Sequence, residues 1–158
     1  PILVGSESIL CKDMEWSRRN YSNSYPIEWP RIENELSYCA GVIAGETKTI
    51  ADLFLAIFRW SLTGSSQMEP PDQAALNVLI SMEPFKRHVQ KVSHKDGWVT
   101  HLGVSLDKPE EFGPYLKDTL PKVKENLVVN SEDIPFVISH QHDRLPDIEK
   151  SLISTLNN

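Results

Sequence analysis

Two kinds of apolar pattern alternate along this chain: short unbroken runs, and stretches with an apolar residue every three or four positions. The first kind reads as buried strand and the second as one face of a helix. Pro1-Ile2-Leu3-Val4 and residues 37–44 (Ser-Tyr-Cys-Ala-Gly-Val-Ile-Ala) are runs of the first kind, the latter ending at Gly45. A helix follows, capped by Thr47 or Thr49, with Ile50, Leu53, Phe54, Ile57 and Trp60 on one face until Gly64-Ser65-Ser66 breaks it. Pro70-Pro71-Asp72 opens a second helix carrying Leu76, Leu79 and Ile80; proline suits a helix start and an acidic first turn suits the dipole.

Residues 87–93 and 98–104 are expected as strands joined by a turn at Asp96-Gly97. Pro114 starts a short helix, 127–129 and 134–140 are strand-like, and Pro146 starts a last helix with Ile148, Leu152, Ile153 and Leu156 inward. Residues 12–35 are polar and aromatic, with Pro26 and Pro30, and read as a long loop. Alternating strands and helices imply an α/β fold with a mixed, partly parallel sheet flanked by helices. The length of 158 residues suits a single domain over 1–158 with a real core. Pro1-Ile2-Leu3-Val4 reads as mid-strand, so this segment is expected to belong to a longer protein.

Composition narrows the classes. A hydrophobic fraction of 40% is that of a globular chain, and a net charge of −6 argues against a nucleic-acid partner. No apolar run approaches the roughly 18 residues a membrane helix needs, so no membrane contact is expected from this segment. Cys11 and Cys39, 28 positions apart, fit no metal spacing and read as reduced structural thiols. Asn20-Tyr21-Ser22 is a glycosylation triplet, a pattern frequent by chance.

Three stretches can carry chemistry, each beside a plainer alternative. Asp72-Gln73 on a helix's first turn can hold sugar hydroxyls near a reacting centre, or be a capping Asp with an exposed Gln. Tyr38-Cys39-Ala40-Gly41-Val42 is either a strand with a glycine bend or a place where a ligand nears the backbone. His140-Gln141-His142-Asp143-Arg144 gathers two imidazoles, a carboxylate and a guanidinium: a metal site, a diphosphate clamp, or a solvated strand end. If the strand runs through both histidines they face opposite ways, and only one reaches a given metal. A metallo-β-lactamase reading fails, because Asp143 comes one position too soon for its ligand string. His88, His94 and His101 are scattered; His101-Leu102-Gly103 with Lys108-Pro109 loosely echoes a His-x-x-Gly-x-x-Lys-Pro diphosphate motif, off by one at each element.

Taken in order, these stretches resemble the C-terminal part of a GT-A nucleotide-sugar glycosyltransferase. Cys39-Ala40-Gly41-Val42 resembles the Asn-Ala-Gly-Val donor-sugar segment. Asp72-Gln73-Ala74-Ala75-Leu76-Asn77 resembles the Asp-Gln-x-x-Leu-Asn helix of glycogenin-like enzymes. His140-Gln141-His142-Asp143-Arg144 is similar to a His-Gln-Tyr-Asp-Arg segment in related transferases. The resemblance implies transfer from a nucleotide-diphosphate sugar to a glycan or protein acceptor, with retention of configuration. It implies Asp72 and Gln73 as catalytic, Cys39, Ala40, Gly41 and Arg144 as substrate-binding, and His140 as a ligand to Mn2+ or Mg2+. Cys39 stands where those enzymes place an asparagine, and His142 where they place a tyrosine. Their Asp-x-Asp metal motif is not in this sequence, and the nucleotide-binding half is expected upstream. The other class is a non-catalytic binding or interaction module that keeps a GT-A-like scaffold.

Overall fold

The computed structural model describes residues 1–64, 70–105, 114, 116, 120–125, 127–146, 148–150 and 153. It is an α/β fold with mixed and parallel sheets flanked by helices. The chain has two compact units: residues 1–4 with 9–91, and residues 5–8 with 92–158. The strand β1 (Ile2–Leu10) belongs to both, since its middle residues Gly5–Ser8 count with the second. Among the described residues no helix is long and apolar enough to cross a membrane.

In the first unit β1, β2 (Leu36–Gly45) and β3 (Val89–Val92) form a sheet in the order β2-β1-β3. The helix α3 (Thr47–Ser61) starts at Glu46, whose carboxylate accepts from the Thr49 hydroxyl at 3.1 Å. Thr47 and Thr49 are therefore not the cap residue. Leu53 and Ile57 are buried as expected, but Phe54 is half-exposed, so the buried face is narrower than its sequence pattern. The helix α4 (Asp72–Leu79) begins directly after Pro71 and is buried from Gln73 onward. Leu76, Ile80, Leu53, Ile2, Val4 and Tyr21 are the centre of this unit's core. The strand expected over 37–44 is present, yet only Ser37, Tyr38 and Cys39 are buried; from Ala40 it rises toward solvent.

The expected loop over 12–35 is instead mostly helical, with α1 (Glu15–Ser24) and the one-turn α2 (Trp29–Ile32). The buried face of α1 is Ser17, Asn20, Tyr21 and Ser24, spaced as a helix but polar. Hydrogen bonds offset the desolvation of that face. Tyr21 Oη lies 3.0 Å from Ser37 Oγ, and Asn20 donates to the Pro70 carbonyl at 3.1 Å. Asn20 is thus a core residue, and of its glycosylation triplet Asn20 and Tyr21 are buried while Ser22 is partly exposed.

The second unit is built on β4 (Val99–His101) and β7 (Ile138–His140), which pair in parallel: Val99 with Ile138, Thr100 with Ser139, His101 with His140. The hairpin β5 (Lys122–Lys124) and β6 (Leu127–Val129) precedes β7. A short helix α5 (Leu102–Ser105) follows β4, and Leu102, Val128 and Phe136 form the unit's apolar centre, with Leu145 and Ile148 against it. The strands expected over 87–93 and 98–104 are shorter, and they do not pair as a hairpin. Val92 ends β3, and a 3-10 turn (His94–Asp96) closed by a reciprocal Ser93–Asp96 cap leads to Gly97 in the left-handed region. The final helix is present at Pro146, residues 148–150 and Ile153; Leu152 and Leu156 lie outside the described residues.

Candidate functional site

The candidate site of the second unit forms where β4 and β7 end side by side. Parallel register puts His101 directly opposite His140, and their Nδ1 atoms lie 3.1 Å apart. The rings cross at 86°, with centroids 5.3 Å apart. His101 is fully buried and His140 half-buried. Behind His101 sits His94, also fully buried, which accepts the His101 backbone N–H at Nε2 over 3.5 Å and meets Phe136 edge-on. In turn, the backbone N–H of His94 donates to Ser8 Oγ at 3.3 Å. His94 is a structural support for the strand that carries His101.

Burial holds the His101 ring well below its ordinary 6.5, at about 3; His94 and His140 push the same way, and a hydrogen bond to the Gly5 backbone opposes them. His140 is also lowered, first by burial and then by the Arg144 charge, with Asp143 opposing. Both rings are therefore neutral at physiological pH, the form that binds metals.

Beyond His140 the strand stops. Gln141 takes a left-handed conformation, φ 62°, and His142–Arg144 form a 3-10 turn. The premise of strand alternation through His142 therefore fails. The outcome is a half-buried His140 and an exposed His142, set by the turn. Residues Ile138 to Arg144 line a cavity of about 420 Å³, with His140, Gln141, His142, Asp143 and Arg144 around it. Gly103 on α5 makes room for this turn: a Cβ there would lie 2.6 Å from Gln141 Oε1 and 2.7 Å from Arg144 Cδ. Lys108-Pro109, the far end of the diphosphate-motif echo, lies outside the described residues.

The other sequence-predicted residues lie in the first unit. Asp72 is exposed on the first turn of α4. Gln73 is turned into the core and donates to Tyr21 Oη at 3.1 Å. Cys39 is buried and accepts the Gly41 N–H at Sγ over 3.4 Å; Ala40 is half-buried and Gly41 exposed. The α4 residue that grips this segment is Asn77, which bonds both backbone groups of Tyr38. Sequence reasoning missed Asn77 and the pairing of His101 with His140. The first was legible in the Asp-Gln-x-x-Leu-Asn string; the second had no signal, because register is not written in spacing.

A hard cation of the Mn2+ or Mg2+ kind needs oxygen ligands. The donors that β4 and β7 bring together are two imidazole nitrogens, and that set fits such an ion poorly. No protein-family model, curated protein or solved structure matches this chain.

Proposed function

We propose that this chain is the C-terminal part of a GT-A type glycosyltransferase, and that the turn after β7 receives the diphosphate of a nucleotide-sugar donor. The observation that carries the reading is the cavity at residues 138–144, whose lining includes Arg144 together with His140 and His142. A planar guanidinium matches a diphosphate in charge and geometry. The order of the donor-like segments supports the same reading: Cys39-Ala40-Gly41, then Asp72, then His140 to Arg144. In this scheme Arg144 offsets charge on the leaving diphosphate. Gln73 acts indirectly, by fixing Tyr21 beneath α4. Because the donor set fits Mn2+ or Mg2+ poorly, no step here passes through a metal.

The test is calorimetric titration of the full-length protein with nucleoside diphosphates and their sugars, followed by a product assay. Binding should weaken about tenfold or more on Arg144→Ala and partly recover in Arg144→Lys. Arg144→Ala binding as tightly as the parent would end the reading. The second reading is a non-catalytic module on the same scaffold. It is favoured by Gln73, a residue of the catalytic-like helix whose carboxamide bonds the core hydroxyl of Tyr21. Donor binding without any turnover would select it.

A further inference from the structure

The paired histidines support a conclusion that does not depend on sugar transfer. The Nε2 edge of His101 faces the backbone at Gly5, where a Cβ would lie 3.1 Å from it. Its Nδ1 edge faces Nδ1 of His140 across the paired ends of β4 and β7. Two imidazole nitrogens on one tetrahedral zinc, each at about 2.0–2.1 Å, stand about 3.3 Å apart. The observed separation of 3.1 Å is close to that span.

We propose that His101 and His140 form a two-nitrogen site for a borderline divalent metal of the zinc type, held on the paired ends of β4 and β7. Imidazole suits zinc and its neighbours in the first row, whereas carboxylate, carbonyl and water suit magnesium. Without metal, one of the two neutral rings carries hydrogen on Nδ1 and donates it to the Nδ1 of the other. A metal held by both Nδ1 atoms would require that hydrogen to sit on Nε2 of the same ring, with no net proton release. Two protein ligands leave positions for solvent or for ligand oxygens entering from the 138–144 cavity. Gly5 is part of the design: any side chain there would collide with Val99 and crowd the His101 ring.

The site is tested on the tag-free chain by titration with Zn2+, and with Co2+ read by visible absorption, against Mg2+ and Mn2+. Zn2+ and Co2+ should bind one to one, at least about tenfold tighter than Mg2+ or Mn2+. His140→Ala should weaken Zn2+ about tenfold or more, while His142→Ala should change it less than about twofold. His101→Ala empties a fully buried position and endangers the fold, so His101 is followed in the unmodified chain by imidazole 15N resonances. Its Nδ1 resonance should shift on adding Zn2+. An unmoved Nδ1, Mg2+ binding as tight as Zn2+, or equal loss from the two variants would each overturn the site. Zinc binding that survives loss of all donor binding would overturn the transferase reading alone.

Discussion

The Asn77 side chain holds Tyr38 by both of its backbone groups. Its Oδ1 accepts the Tyr38 N–H at 3.0 Å, and its Nδ2 donates to the Tyr38 carbonyl at 2.8 Å. The same Nδ2 also lies 3.2 Å from Tyr21 Oη and 2.8 Å from the Gln73 carbonyl. One carboxamide thus does for β2 what a neighbouring strand would do, and ties it to α4 and α1. Asn77→Ala leaves a buried N–H and carbonyl unmet, each costing about 1–3 kcal/mol. Urea unfolding of the variant should show a loss of about 3 kcal/mol, and a loss below about 1 kcal/mol would contradict this role. Asn77→Asp keeps the acceptor but not the donor, and should fall between the variant and the parent.

Two glycines should respond differently to the same added methyl group. At Gly5 a Cβ meets the Val99 side chain inside the second unit, and Val99 is fully buried. Overpacking of that kind costs about 1–3 kcal/mol, so thermal unfolding of Gly5→Ala should drop by several degrees. At Gly103 the obstructing atoms are the ends of the Gln141 and Arg144 side chains, which can move. Gly103→Ala should keep its melting temperature within a few degrees while weakening nucleoside diphosphate binding. Equal melting temperatures for the two variants would show that this reading of their surroundings is wrong.

Acid should act on the second unit through His101. Its pKa in the fold is about 3, against 6.5 ordinarily. Between those values the unfolded chain takes up a proton at this ring and the folded chain does not. Stability is therefore full above pH 6.5 and falls as pH drops toward 3, by up to about 1.4 kcal/mol per pH unit from this group. His140, also lowered, acts in the same direction. An NMR titration should find the His101 ring still neutral at pH 5. A midpoint near 6.5 with the protein folded would refute the burial argument.

Much of the fold could be read from the order of residues where the hydrophobic pattern was strong. The Pro-Pro-Asp start of α4 and its inward Leu76, Leu79 and Ile80 are examples. The helix α1 could not, because its buried face is Ser17, Asn20, Tyr21 and Ser24, and hydrophobic periodicity does not register a polar face. The histidines were each visible, but not as a pair. His101 and His140 are 39 residues apart, and only the parallel register of β4 and β7 makes them neighbours. The expected alternation past His140 failed at Gln141, whose left-handed backbone ends the strand without a glycine to announce it.

The four residues Gly5–Ser8 have a consequence for how this protein is made. They belong to the second unit, yet the rest of that unit begins at Val92. Ser8 meets its partner His94 across 86 residues of chain. On the ribosome that segment emerges before nearly the whole first unit and waits while it is synthesised. A gene fragment starting at Val92 would lack the Gly5 backbone that packs beside the His101 ring and the hydroxyl that receives the His94 N–H. The second unit is therefore not separable by a single cut, and its recombinant expression requires the β1 segment in the same chain or supplied as a peptide.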